Sequence, residues 1–304
     1  MKLSDIQIDG LRVIRDGEFS SLGLCGAKAG LPLLTFAGSM RYLKTALANP
    51  DVTCILVSEE LLNAEILGTT SKGICSGDDI RILFFRIHNL LAEGKEIHQY
   101  RREIVRTRFG KNYQSYPFTS ISSENVVIGD NVTIEPFVRI FENVTIGDNC
   151  IIRSGTVLGG TGLEFIRMGS EGILPVTHCG GLVIGQDVEI QYNCNVSRSL
   201  FPWDDTVIGD HTKIESLVHV AHGARLGKRG LIAASACIGG SAVIGDDVWI
   251  GPNATISSEV KIGNNARINL GAVVVGNVKE GQTVSGNFAI DHDKFMRDQM
   301  SRQL

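Results

Sequence analysis

Two histidines, His219 and His222, lie three residues apart in the segment SLVHVAHGARLG. His222 follows the aliphatic residue Val220 by two positions and precedes Gly223, so we expect its side chain at the surface beside a turn. An exposed imidazole is largely neutral at pH 7 and can accept a proton, as a general base must. Zinc is the rival chemistry, but it needs convergent ligands, and His219 directly precedes the aliphatic position. The pattern indicates a general base or an ordinary surface histidine, and we predict no metal site.

A six-residue repeat must position these histidines. An aliphatic residue recurs at every sixth position from Ile128 to Leu158 and again from Ile184 to Val274, where only Pro202 departs from the pattern. Period six fits neither a helix nor a single strand, but it fits a chain that runs a short strand, turns and starts again. Three such units close a triangular coil of about 18 residues, and stacked coils bury each other's aliphatic side chains. We therefore predict a mostly β fold built as a parallel β-helix.

Stacking makes a prediction about the neighbours of His222. With a coil of about 18 residues, Asp204 would lie one coil below His222 and Gly240 one coil above. A carboxylate at Asp204 would hold the imidazole in one tautomer, and the N–H of Gly240 would stabilise a developing oxyanion. Pro202 falls at an inward position, so a bulge there would break the register, and the Asp204 pairing stays open.

The chain outside the repeat divides into further segments. Helix signals at 39–48 and 79–93, with a buried strand at 52–57, indicate a small α/β domain at the N-terminus. The predicted organisation is an α/β domain at 1–105, a connector at 106–126, a β-helix at 127–286 with an inserted loop at 161–182, and a short C-terminal helical tail at 287–304.

Composition excludes several classes of protein. The 304 residues carry a net charge of −4, which argues against a nucleic-acid binder. No apolar run approaches the length of a membrane span, and the polar start MKLSDIQIDG is not a signal peptide. The seven cysteines are scattered without a CxxC pair, as is typical of reduced thiols, so we expect a cytoplasmic protein.

Three segments of the repeat region resemble a known family. They are IIRSGTVLGGTGLEF at 151–165, HCGGLVIG at 178–185 and VHVAHGARLG at 218–227. They are similar to the hexapeptide-repeat N-acyltransferases of nucleotide-linked amino sugars, in particular the UDP-3-O-acylglucosamine N-acyltransferases. The resemblance implies a left-handed β-helix and a homotrimer with its sites between subunits. It also implies a catalytic His222, an oxyanion-binding Gly240 and a substrate contact at His178.

The N-terminal domain carries a further part of the resemblance. The stretch LTFAGSMRY at 34–42 is similar to the family's nucleotide-binding segment, in which a Phe and a Tyr enclose a pyrimidine base. These residues fall on Phe36 and Tyr42, while Ser39 replaces the family's Asn between them. Without the resemblance, the two aromatic residues could equally belong to a small core.

The family likeness and its departures together set the predicted function. We expect acyl transfer from a thioester, with acyl-CoA favoured as co-substrate and no bound cofactor, to the amine of a nucleotide-linked amino sugar. Glu259 stands where the lipid A enzyme has a second histidine, and the long C-terminal helical region of that enzyme is missing. These differences favour surface-polysaccharide synthesis. The alternatives are the lipid A enzyme itself, which uses acyl carrier protein, and a non-catalytic β-helix that binds nucleotide sugars.

Overall fold

The computed structural model describes residues 1–94, 100 and 102–286, together with 292–294, 297 and 301. Most of the predicted C-terminal tail, 287–304, therefore lies outside the described residues, and its described positions are helical. In the described part of the chain, no helix is long and apolar enough to cross a membrane.

The N-terminal part is a five-stranded sheet flanked by helices. Its spatial order is β1-β5-β4-β3-β2, with only β1 antiparallel to its neighbour. The two predicted helices and the buried strand are confirmed, and the Asp79 carboxylate caps the second of these helices by accepting the Ile82 amide at 3.0 Å. The elements are β1 (Arg12–Arg15), β2 (Ser21–Leu22), β3 (Leu33–Ala37), α1 (Met40–Ala48), β4 (Val52–Ser58), α2 (Glu65–Gly68), β5 (Gly73–Gly77) and α3 (Ile80–Glu93), with 3-10 turns at Leu3–Asp5 and Glu59–Leu61.

The repeat region forms a three-sided stack of coils, and each side is a parallel sheet. The predicted aliphatic positions point inward and form one continuous core. Because one strand lies on each of its neighbours, burial is shared between adjacent coils. The first side holds Gln114–Ser115, Thr133–Ile134, Ile151–Ile152, Glu189–Ile190, Lys213–Ile214, Leu231–Ile232, Trp249–Ile250, Arg267–Ile268 and Thr283–Val284. The second holds Ser120–Ile121, Arg139–Ile140, Val157–Gly160, Asn195–Ser197, His219–Val220, Cys237–Ile238, Thr255–Ile256 and Val273–Val274. The third holds Arg108–Phe109, Val126–Ile128, Val144–Ile146, Gly181–Ile184, Asp205–Ile208, Arg225–Leu226, Val243–Ile244 and Lys261–Ile262.

Asparagines at the corners explain how such short strands can be joined. Asn131 and Asn149 both have left-handed backbones, with φ of 57° and 58°. Asn tolerates this region better than most residues, because its short side chain makes local hydrogen bonds. The Asn131 amide also donates to the Asn149 side-chain oxygen at 3.1 Å, which joins successive coils along one edge.

The predicted connector is wrong. Residues 106–126 already form the first coil, because their strands pair with those of the next coil. The repeat is hidden there for two reasons. Ser115 pairs with Ile134, so a polar residue occupies an otherwise aliphatic column, and the separation is 19 residues, so the first coil is one residue longer than the regular ones.

The inserted loop forms an antiparallel hairpin instead of an irregular flap. Phe165–Arg167 pairs with Ile173–Pro175 around a 3-10 turn at Gly169–Glu171. Ile166 and Val176 of this insert are buried in the same apolar cluster as the aromatic residues of α3. The insert therefore joins the N-terminal domain to the β-helix.

Candidate active site

His222 lies just after the strand His219–Val220, at a corner beneath the inserted hairpin. A methyl group on Gly240 would lie 3.0 Å from both Cε1 and Nε2 of the His222 ring, and one on Gly162 would lie 3.0 Å from Cδ2. The ring is thus packed between two glycine backbones, one from the coil above and one from the insert. Its side chain keeps 20% of its exposure, so the ring lines a crevice and does not point into the core.

A carboxylate that the sequence analysis missed faces this ring. Glu164, in the insert, places Oε2 3.6 Å from Nε2 of His222. Its other oxygen, Oε1, lies 3.8 Å from the guanidinium of Arg81 in α3. Nothing in the six-residue period indicates where an inserted loop folds, so only the family-like segment GGTGLEF marked this stretch of chain.

His178 supports the His222 ring from the side. The two rings meet edge to face, with centroids 5.6 Å apart. Nδ1 of His178 contacts the Val176 carbonyl at 3.1 Å, and Nε2 accepts the Gly162 amide at 3.1 Å. Burial is the main reason that the pKa of His178 is lowered to about 4. Both nitrogens of this neutral ring are therefore occupied, so the predicted substrate contact at His178 is replaced by a role in holding the insert and His222.

A second buried histidine anchors the insert to α3. Nε2 of His88 donates to the Thr177 carbonyl at 2.7 Å, while Tyr100 donates its hydroxyl to Nδ1. His88 is fully buried, which lowers its pKa to about 4 and raises the pKa of Tyr100 well above its usual value. The neutral imidazole fixes the residue next to His178.

Two further side chains of α3 grip the same hairpin. Asn89 donates to the Pro175 carbonyl at 2.7 Å and accepts the Thr177 amide at 3.0 Å. Arg86 pairs with Glu171 at 3.0 Å. The position of the insert over His222 is thus set by the N-terminal domain.

The predicted pairing of Asp204 with His222 is wrong. The Asp204 carboxylate is bound by the Arg225 guanidinium and by the Ser199 hydroxyl, the latter at 2.5 Å. Asn195 faces His219 across adjacent coils, a separation of 24 residues instead of the expected 18. A bulge at 199–204 adds one repeat length, so the aliphatic columns stay in phase while the count between coils changes.

The bulge has a packing role of its own. Phe201 is buried against the rings of Phe84 and His88, with centroid distances of 6.2 and 5.5 Å. Trp203 stacks on Phe201 and donates its indole N–H to the Leu22 carbonyl at 2.8 Å. The bulge therefore docks the β-helix onto the N-terminal sheet.

Gly240 lies where an oxyanion-binding group is needed. It borders Nε2 of His222, as described above, and its amide donates no hydrogen bond within the described part of the chain. The Gly240 carbonyl, by contrast, accepts the Glu259 amide at 2.9 Å, which fixes the turn. The backbone thus presents a donor beside the imidazole.

The predicted nucleotide-binding residues lie at the end of β3 and the start of α1. Phe36 is half-buried against Phe84, with ring centroids 4.9 Å apart. Tyr42 is 53% exposed, so it is not part of a small aromatic core. Ser39 occupies the N-cap position of α1, and its side chain makes no capping hydrogen bond.

A cavity of about 350 Å³ opens on the far side of His178. Two arginines line it, but Arg102 is paired with Asp205 and Arg198 with Glu142. Within the residues that the structure describes, no three His, Cys, Asp or Glu side chains converge as a metal site would require.

Comparison with known proteins accounts for the repeat. The model of the bacterial transferase hexapeptide (six repeats) matches residues 125–160 and 241–276. The chain is a hexapeptide-repeat protein. This hexapeptide-repeat protein shares its fold with the UDP-N-acetylglucosamine acyltransferase of Campylobacter jejuni, at a TM-score of 0.54 and 23% identity over 64% of this chain and 78% of that one. An Arabidopsis acyltransferase gives a TM-score of 0.50, at 23% identity over 66% of this chain and 76% of that one. The predicted left-handed β-helix is confirmed.

Curated relatives resemble this hexapeptide-repeat protein over a shorter stretch. The UDP-3-O-acylglucosamine N-acyltransferase of Coxiella burnetii is 38% identical over 99 residues, which are 33% of this chain and 28% of the relative. The protein of that name from Pseudomonas fluorescens is 35% identical over 108 residues, 35% of this chain and 30% of the relative. The alignments thus span less than a third of these relatives.

Proposed function

We propose that this protein is an N-acyltransferase that moves an acyl group from a thioester to the amine of a nucleotide-linked amino sugar. The observation that carries the proposal is the setting of His222, whose Nε2 borders the Gly240 backbone at the mouth of a crevice. The relatives support the same reaction class, because the printed names of the Coxiella and Pseudomonas proteins specify N-acyl transfer to a UDP-linked glucosamine.

In the proposed reaction, the neutral amine attacks the thioester carbonyl. The nitrogen lone pair forms the new C–N bond, and the carbonyl electrons move onto oxygen, which the Gly240 N–H stabilises. His222 takes a proton from the nitrogen through Nε2. When the oxyanion collapses, the C–S bond breaks, and the imidazolium returns its proton to the departing thiolate. The products are an amide and a free thiol, and no covalent enzyme intermediate is required.

The nucleotide is assigned to the N-terminal domain. Tyr42 is exposed on the first turn of α1, and Phe36 is half-buried just before it, so both can offer a ring face to a pyrimidine base. Ser39 lies between them at the N-cap and can supply a hydroxyl. The N-terminal domain also grips the insert, so a sugar held there would be delivered towards His222.

The donor and the process are further parts of the proposal. We propose acyl-CoA as donor, its pantetheine arm lying along residues 230–275, and a role in surface-polysaccharide synthesis in the cytoplasm as a homotrimer. The free, buried thiols of Cys54 and Cys75 fit a reducing compartment. The second candidate is acyl transfer from acyl carrier protein to UDP-3-O-acylglucosamine, which the names of the relatives favour. Rates with acyl-CoA of increasing length and with acyl carrier protein separate the two.

The decisive experiment replaces the base. His222→Ala should lower kcat by at least about 100-fold while nucleotide-sugar binding, measured by calorimetry, stays within about threefold. His211→Ala, at an exposed corner residue outside the crevice, is the matched control and should leave both unchanged. If His222→Ala retains full activity, the proposed mechanism is wrong. If the wild-type protein binds nucleotide sugars without transferring an acyl group, the non-catalytic alternative is correct.

A further inference from the structure

We propose that Glu164 holds the acceptor amine against His222 and so makes the site selective for amines over hydroxyl groups. The inference rests on the proposed function and adds a specificity-determining residue to it. Glu164 is in the inserted hairpin, outside every coil of the β-helix, and its side chain is only 19% exposed. A carboxylate this well covered beside a neutral imidazole calls for a bound partner.

The geometry identifies that partner as a hydrogen-bond donor placed between the two groups. Oε2 of Glu164 lies 3.6 Å from Nε2 of His222, which is too far for a direct hydrogen bond. One nitrogen atom can nevertheless lie within about 3 Å of both atoms and donate to each. Such a nitrogen would also border Gly240, where the reacting carbonyl is proposed to bind.

The same geometry argues against a purely orienting role for Glu164. A carboxylate that orients a catalytic imidazole contacts the ring nitrogen opposite the one that does the chemistry. Glu164 and Gly240 instead both face Nε2. Glu164 therefore lies on the substrate side of the ring, where it would contact the acceptor itself.

The approach of Glu164 is set from behind. Arg81 of α3 lies 3.8 Å from Oε1, and its positive charge favours a carboxylate turned so that Oε2 faces the imidazole. His88, Asn89 and Arg86 of the same helix hold the rest of the insert. The N-terminal domain thus positions the acceptor-binding carboxylate as well as the proposed base site.

Selectivity follows from counting protons. A neutral amine carries two N–H groups, so it can donate one to His222 and one to Glu164 at once. A hydroxyl group has a single proton, and binding it would leave either the imidazole or the buried carboxylate without a donor. An unpaired buried charge is costly, so a site built this way rejects the hydroxyl analogue.

The test compares Glu164→Gln with the wild type on matched acceptors. A panel of UDP- and dTDP-linked sugars is offered, each as the amine and as the hydroxyl compound at the same carbon. The wild type should prefer amines by at least about 100-fold in kcat/KM, and the variant should lose at least about tenfold of that preference, because the amide N–H can donate to a hydroxyl oxygen. Glu171→Gln is the matched control, since Glu171 lies in the same hairpin but pairs with Arg86, and it should keep the full preference.

Binding separates this inference from the proposed function. Calorimetry with the same sugars needs no turnover, so a wild-type preference for amines that Glu164→Gln abolishes supports the inference even if no acyl transfer occurs. An equal loss of kcat on both acceptor types, or an unchanged preference, would overturn it while leaving the role of His222 in place. Failure to bind any sugar of the panel would overturn both.

Discussion

Asn195 and His219 face each other on adjacent coils although 24 residues separate them. The six additional residues form the bulge that packs Phe201 and Trp203 onto the N-terminal domain. One local insertion thus creates the domain contact and also decides which residues surround His222. Its effects reach stability as well as the site.

The docking of the bulge predicts a large effect at Phe201. Phe201→Ala should destabilise the protein by about 3 kcal/mol, because it removes a buried ring that contacts both Phe84 and His88. Trp203→Phe should cost only about 1 kcal/mol, the contribution of the hydrogen bond to Leu22. Urea denaturation at fixed protein concentration measures both. Equal costs for the two variants would contradict the proposed docking.

The repeat predicts opposite outcomes for two neighbouring residues. Ile232 is 3% exposed in the core of the β-helix, so Ile232→Ala should cost about 2–5 kcal/mol. Leu231 is 46% exposed on the outer face, and Leu231→Ala should cost less than about 1 kcal/mol. The midpoints of chemical denaturation give the comparison. A larger loss at Leu231 would show that the outer face is covered.

Gly240 is predicted to tolerate no side chain. In Gly240→Ala the new methyl group would lie 3.0 Å from the reactive edge of the His222 ring, so the ring must shift and kcat should fall by about 100-fold or more. Gly276→Ala is the matched control, since nothing lies within 4 Å of a methyl group there. Circular dichroism should show an unchanged fold for both. Full activity of Gly240→Ala would place the chemistry elsewhere.

Acid should loosen the attachment of the insert. His88 and His178 have pKa values lowered to about 4 by burial, below the usual 6.5 for an unfolded chain. As pH falls from 6.5 towards 4, the unfolded chain therefore binds more protons than the folded one, and stability drops by up to about 3 kcal/mol per histidine. Below about pH 4 this contribution is already lost and no longer changes.

The measurement is the free energy of unfolding at several pH values. The wild type should lose stability between pH 6.5 and 4, and the double variant His88→Gln, His178→Gln should show a smaller slope over that range. The exposed His211 provides the control, because His211→Gln should keep the slope of the wild type. A double variant with an unchanged slope would assign the acid sensitivity to other groups.

The amino-acid sequence by itself determined the architecture of the β-helix. Each coil depends on its own aliphatic positions and corner residues and on those of its neighbours, so the rule is local and appears directly as a period of six. The order of helices and strands in the N-terminal domain was readable for a similar reason, since it follows from short-range patterns. The period and the resemblance together identified His222 and Gly240.

Only the tertiary structure decided the surroundings of His222. A bulge one repeat long leaves the period intact, so no pattern in the sequence could reveal that Asp204 is displaced towards Arg225. The position of Glu164 depends on contacts between the insert and α3, about 80 residues apart along the chain in the case of Arg81. Such contacts follow from three-dimensional packing of distant segments, which leaves no periodic trace in the sequence.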